Sequence, residues 1–181
     1  GIDIYAQHVS SSGTIIHDAN GELICNAENV QFNPLVRNDG SGGAIIVWGD
    51  QRTGGSYGIF LQHLTSSGIN LSANGVEIFF GIGKDAANEI YEHGAVYLEN
   101  DETLVYWVDN RDAYPNIYDS LISSSYDGIS LNYFDNNPYG VPLSTLELPQ
   151  ELPKAILSGN KIFLSFQVEE SPNENLYSQR L

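Results

Sequence analysis

The sequence predicts an all-β protein of the β-propeller type, made of four-stranded units, with about three units plus one extra strand. Three observations lead there. First, a phrase recurs. Val47-Trp48-Gly49-Asp50-Gln51-Arg52, followed by Ile59-Phe60-Leu61-Gln62-His63-Leu64, returns as Tyr106-Trp107-Val108-Asp109-Asn110-Arg111, followed by Ile117-Tyr118-Asp119-Ser120-Leu121-Ile122. A worn copy reads Ser165-Phe166-Gln167-Val168, followed by Leu176-Tyr177-Ser178-Gln179-Arg180-Leu181. The equivalent positions Ile4, Ile59, Ile117 and Leu176 lie 55, 58 and 59 residues apart, a period that suits a four-stranded sheet with generous loops. Second, 18 glycines punctuate short Val, Ile, Leu and Phe runs among 11 tyrosines, a mixture that favours strands joined by tight turns. Third, no segment sustains a 3.6-residue period, and the nearest, Asp85–Ile90, amounts to one helical turn. A stacked β-array is the structural alternative to a propeller.

Taken in order, the chain opens on the second half of a unit, with Ile4-Tyr5-Ala6-Gln7-His8-Val9. It then divides into a partial unit over 1–31, units over 32–91 and 92–151, and an incomplete unit over 152–181, all in a single segment over 1–181. Each full unit begins with a moderately apolar run: Pro34–Arg37, Gly94–Tyr97, Pro153–Leu157. A tight turn follows, at Asp39–Gly43, Glu99–Glu102 or Ser158–Lys161, where Gly, Asn and Asp supply the positive-φ positions that hairpins need. The most hydrophobic run comes next, Ala44–Trp48, Thr103–Trp107 and Ile162–Phe166. An apolar run of that length bounded by turns reads as a strand covered on both faces. The Ile-Tyr-Ala-Gln-His type of run is third. The fourth follows a turn module, Ser11-Ser12-Gly13 to Asn20-Gly21 and Ser66-Ser67-Gly68 to Asn74-Gly75, lengthened in the copy that starts at Ser124. The pattern starts and stops inside a strand and holds no Met, which reads as a piece of a longer chain.

Composition narrows the partners. A net charge of −16, with four scattered Arg and three Lys among 181 residues, argues against nucleic acid, whose binders cluster basic groups on phosphates. An acidic surface fits a protein outside cells or one that binds cations. Cys25 is the single cysteine, so no internal disulfide forms, and its apolar setting makes it a small buried hydrophobe. No apolar stretch has the length that a membrane-spanning helix needs.

The phrases Asp3-Ile4-Tyr5-Ala6-Gln7-His8 and Trp48-Gly49-Asp50-Gln51-Arg52, with Ser66-Ser67-Gly68 and Asn74-Gly75-Val76 between units, resemble tandem repeats of large secreted bacterial surface proteins. Those repeats are of the sialidase-like or integrin-α-like β-propeller kind. The resemblance covers nearly the whole chain, and its third unit is degenerate. It implies an extracellular or cell-surface propeller that scaffolds, adheres or binds. Glycosidase activity on a sialidase-like fold requires three arginines on the substrate carboxylate, a tyrosine nucleophile with its glutamate, and an acid. Here only Arg37, Arg52, Arg111 and Arg180 exist, three of them at repeat positions, so that set is not assembled in this chain.

Among residues that carry chemistry, Trp48, Asp50, Arg52, Trp107, Asp109 and Arg111 read as structural repeat positions. The carboxylate can accept backbone N–H bonds in the turn that follows while the arginine reaches a neighbouring strand. His8 and His63 are repeat-equivalent to Leu121 and Arg180, which reads as a strand surface. Calcium is the one cofactor the loops suggest, through Asp109, Asp112 and Asp135 as hard oxygen ligands; no other cofactor is expected. Tyr57, Tyr114, Tyr126 and Tyr139 are candidate loop tyrosines for stacking on sugars or peptide groups. No catalytic residue is assigned. The reading is a non-catalytic extracellular scaffold or binding propeller, whose partner is a protein or glycan at the cell surface. Two alternatives stand beside it: the propeller portion of a carbohydrate-active enzyme with its catalytic residues elsewhere, and a surface element that self-associates through its end strands.

Overall fold

The computed structural model describes residues 1–16, 18–55, 57–69, 71–80, 92–98, 102–111, 114–123, 140–144, 146–170 and 173–180. They form antiparallel sheets, as the sequence predicts. The first sheet pairs β1 (Ile4–Ala6) with β2 (Glu22–Cys25). The second runs in the order β3 (Gln31–Asn38), β4 (Ala44–Asp50), β5 (Gly58–Thr65), where β6 (Gly68–Ile69) and β7 (Val76–Phe80) both pair with β5. The third runs β8 (Glu92–Leu98), β9 (Glu102–Asp109), β10 (Asn116–Ser123), β11 (Val141–Pro142). The fourth is β12 (Gln150–Ser158), β13 (Lys161–Glu170), β14 (Asn173–Arg180).

The apolar runs become the second strands, β4 and β9, and both are buried along nearly their whole length. Side chains alternate across a strand, so β4 feeds two cores at once. Ile46 and Trp48 join Ile4, Ile24, Cys25, Phe60 and Leu64 against the first sheet. Ile45 and Val47 join Ile59, Leu61, Ala95, Val105 and Trp107 against the third. On the far face of β9, Val108 packs with Ile117 and with Leu164, Phe166 and Val168 of the fourth sheet. The sheets therefore stack face to face in chain order. Each fully buried aliphatic side chain in these layers contributes roughly 2 kcal/mol.

Register is shared between the sheets. Trp48 lies opposite Phe60, Trp107 opposite Tyr118, and Phe166 opposite Tyr177. The β3–β4 and β12–β13 ladders shift register at Phe32/Leu35 and Glu151/Lys154, where Asn33 and Leu152 take positive φ (50° and 53°) ahead of Pro34 and Pro153. Strands of successive sheets are stitched by side-chain bonds. Arg37 Nε donates to Ala95 O at 2.7 Å, His93 Nε2 lies 2.8 Å from Asn33 O, and Ala155 N donates to the Tyr106 hydroxyl at 3.1 Å.

Candidate functional site

The Trp-x-Asp-x-Arg phrases form closed clamps. Trp48 Nε1 donates to Asp50 Oδ2 at 2.9 Å. The Arg52 backbone N–H and Nε reach Oδ1 at 2.8 and 3.0 Å, and Nη2 reaches Oδ2 at 2.6 Å. The guanidinium lies 3.6 Å from the Phe60 ring centroid, and its Nη2 also donates to Asn74 O at 2.9 Å. From the first sheet, Cys25 Sγ lies 3.8 Å from Asp50 Oδ2. Burial opposes ionisation of Asp50, yet the Arg52 and Trp48 donors outweigh it and hold the carboxyl below its usual range. Burial pushes the Cys25 thiol up, which leaves it a packing group.

The second clamp repeats the geometry. Trp107 Nε1 donates to Asp109 Oδ2 at 2.8 Å, the Arg111 backbone N–H to Oδ1 at 3.0 Å, and the Arg111 guanidinium grips both oxygens. Arg111 sits over Tyr118 (3.8 Å) and Phe79 (4.5 Å), and Phe79 stacks on Trp107 at 4.9 Å. Each tryptophan is seated on a positive-φ glycine. A Cβ on Gly75 would come within 2.3 Å of the Trp48 ring, and one on Gly140 within 2.6 Å of the Trp107 ring. Only glycine allows both the left-handed backbone and that approach. In the fourth sheet, Phe166 and Val168 bury apolar surface at the corresponding places.

A carboxylate saturated by N–H donors and a guanidinium is a poor base, and it cannot ligate a cation without surrendering those bonds. Asp109, the first of the expected calcium ligands, is 2% exposed inside its clamp. Asp112 and Asp135 lie outside the described residues, and among the described residues no three His, Cys, Asp or Glu side chains converge as a metal site. Tyr57 is also not an exposed platform. It is half-buried, and its ring meets Phe32 edge-on at 5.5 Å. Tyr114 is exposed, in the β9–β10 connection. Tyr126 and Tyr139 lie outside the described residues.

His63 departs from the sequence reading as well. His63 is buried instead of lying on a strand surface, and its Nε2 is 2.8 Å from Asp39 Oδ2. Asp39 also accepts from Ser41 Oγ, Ser41 N and Gly43 N. Burial raises its pKa, but His63 and these donors prevail and bring it to about 2. The Asp39-Gly40-Ser41-Gly42-Gly43 turn signal was visible in the sequence, but its partner 24 residues away was not. His93 is held neutral, lowered to about 4 mainly by burial. Next to it, Glu92 has one buried oxygen with no hydrogen-bond partner; burial raises its pKa, Lys154 opposes the rise and Glu151 adds to it.

An accessible concavity lies elsewhere. A groove of about 510 Å³ runs between β1 and the second sheet, lined by Tyr5, Ala6, Pro34, Val36, Ile46 and Leu64 among others. Its walls mix apolar side chains with the polar Gln7, His8 and Thr65 and strand backbone, and no carboxylate, Lys or Arg lines it.

No protein-family model matches the chain, and no curated protein matches it in sequence. Among solved structures it is similar to an endo-arabinase from Bacteroides thetaiotaomicron, with a TM-score of 0.57 at 10% identity. The likeness shows the fold. It covers 95% of this chain and 63% of the enzyme, a β-propeller-like protein, so the chain spans less than two thirds of that protein's length.

Proposed function

We propose that this chain is part of an extracellular or cell-surface propeller that scaffolds and binds, rather than one that catalyses. The observation that carries this reading is the groove beside β1. It is a concave surface of apolar side chains and strand backbone with Gln7, His8 and Thr65 as polar contacts, which suits a polypeptide or a flat sugar face. The charged phrases that first suggest chemistry support the same reading, because Asp50–Arg52 and Asp109–Arg111 are engaged in holding strands and rings together. The net charge of −16 keeps such a surface protein soluble and disfavours polyanionic partners.

A second reading is favoured by the likeness to the endo-arabinase: the chain is the propeller portion of a carbohydrate-active protein. One experiment separates them. The purified chain is applied to a glycan array and incubated with arabinan and chromogenic glycosides. The binding reading expects retention without turnover. Hydrolysis of any glycoside that survives repurification would overturn it.

A further inference from the structure

Glu92 and His93 are adjacent in β8, and successive side chains of a strand leave it on opposite faces. His93 reaches back to the second sheet, where its Nε2 is 2.8 Å from Asn33 O. Glu92 reaches forward to the fourth sheet, where its carboxylate accepts the Leu152 N–H. The two backbone positions that they meet are equivalent. Asn33 and Leu152 are the positive-φ residues ahead of Pro34 and Pro153, at the steps where the β3–β4 and β12–β13 ladders shift register. Neither residue has a facing position in its own ladder, so β8 supplies a partner to both bulges, while β8 itself pairs with β9 without a shift.

Each of the two side chains also carries one buried atom with no hydrogen-bond partner, Glu92 Oε2 and His93 Nδ1. These orphans oppose opposite charges. A proton on Nδ1 would create a cation between the second and third sheets, and loss of the Glu92 proton leaves an unsolvated anionic oxygen between the third and fourth. Lys154 and Glu151 of β12 and the Tyr106 hydroxyl of β9 face Glu92, and Arg37 of β3 acts on that hydroxyl. Burial raises the Glu92 pKa against Lys154. Burial brings His93 down to about 4 against the pull of the Asn33 and Val47 carbonyls, and Lys154 adds to the fall.

We propose that Glu92 and His93 make β8 a pH-dependent balance between its two interfaces, in which acid loosens the β3 side and rising pH loosens the β12 side. The neutral His93 ring contributes fully above pH 6.5, and its contribution is lost as pH falls toward 4. Protonated Glu92 contributes fully below pH 4.5, and its contribution is lost as pH rises through its raised folded value. At neutral pH the bulge of β3 is the better held of the two. Toward pH 4 the advantage passes to the bulge of β12.

Hydrogen exchange of the full chain at pH 7.5 and pH 4.5, with each rate divided by the unstructured rate at that pH, tests the balance. On going to pH 4.5, protection should fall about tenfold or more at 31–33 and 47–49, and should rise about twofold or more at 151–152 and 166–168. Glu92→Gln keeps an acceptor for the Leu152 N–H and should abolish the rise alone. His93→Gln keeps a donor for Asn33 O and should abolish the fall alone. Lys154→Gln, at an exposed position, removes a charge that lowers both pKa values, so both changes should begin at higher pH. Protection that moves in the same direction on both sides would overturn the proposal. So would a Glu92→Gln chain whose β12 side still responds, a single variant that abolishes both responses, or Lys154→Gln transitions at the pH of the parent. If a glutamine variant fails to fold, the parent profile and Lys154→Gln still decide the outcome.

Discussion

Replacing Asp50 by Val, the residue type that Val168 provides in β13, isolates the energetics of one clamp. Asp50 is fully buried and accepts from Trp48 Nε1 and from the Arg52 backbone, Nε and Nη2. Without the carboxylate, the Trp48 N–H is left buried and unsatisfied, a loss of about 1–3 kcal/mol. Arg52 loses its counter-charge, which costs about 3–5 kcal/mol for a fully buried pair. Its side chain is 23% exposed, so water recovers part of that, and the total comes to about 4 kcal/mol. For a chain of this length the melting temperature should fall by about 8–16 °C. The triple variant Trp48→Phe, Asp50→Val, Arg52→Met converts the clamp into an apolar cluster with no stranded donor. It should cost only about 1–2 kcal/mol, less than the single change. Urea unfolding at pH 7, followed by circular dichroism, reads both. A single variant within 1 kcal/mol of the parent, or a triple variant at least as damaging, would refute the view that the carboxylate is needed because of its donors.

Acid should weaken the fold in two steps. His93 is folded as a neutral ring with its pKa lowered from 6.5 to about 4, so its contribution, about 3 kcal/mol, is complete above pH 6.5 and is lost as pH falls toward 4. Asp39 is lowered from 3.8 to about 2, so its contribution, about 2 kcal/mol, is complete above pH 3.8 and is lost as pH falls through 2. His93→Gln should flatten the first step in urea midpoints taken across pH 7 to 4; an unchanged slope would contradict the assignment. Gly75→Ala should cost about 3 kcal/mol, since strain and the Trp48 ring both oppose it, whereas Gly42→Ala, with a φ of 93° and open space around it, should cost about 1 kcal/mol. Equal costs by chemical denaturation would remove the role given to the tryptophan seat. Asp109→Asn should lower the melting temperature equally in excess calcium and in EDTA, as measured by calorimetry; protection by calcium in the parent alone would restore the metal reading.

Much of the architecture was legible because it depends on local pattern. The apolar runs 44–48 and 103–107 could only be strands covered twice, and Asn74-Gly75 could only be a turn before β7. The Asp-x-Arg pairs were read in the sequence as turn carboxylates with a reaching arginine, and the Asp50 carboxylate does accept the Arg52 backbone N–H. What the sequence hid was set by contacts between distant segments. His63 aligned with His8, Leu121 and Arg180 and so looked like surface, but the acidic turn at Asp39 folds onto it. Tyr57 sat in a loop and looked free, but Phe32, across the same sheet, covers it. Asp109 reads as a hard ligand in the sequence, which does not show that Trp107 and Arg111 reach both of its oxygens. The groove was invisible for the same reason: it is made of residues from β1, β3, β4 and the end of β5, which lie far apart in the sequence.

The alternation along β4 has a mechanical consequence. Because Ile45 and Val47 bind one neighbour while Ile46 and Trp48 bind the other, no interface can loosen without disturbing the strand that builds the next. Such a stack behaves as a one-dimensional chain of coupled spins, in which each layer is stabilised by its flanks. Amide exchange should therefore be slowest in β4 and β9, each of which is packed against a neighbouring sheet on both faces.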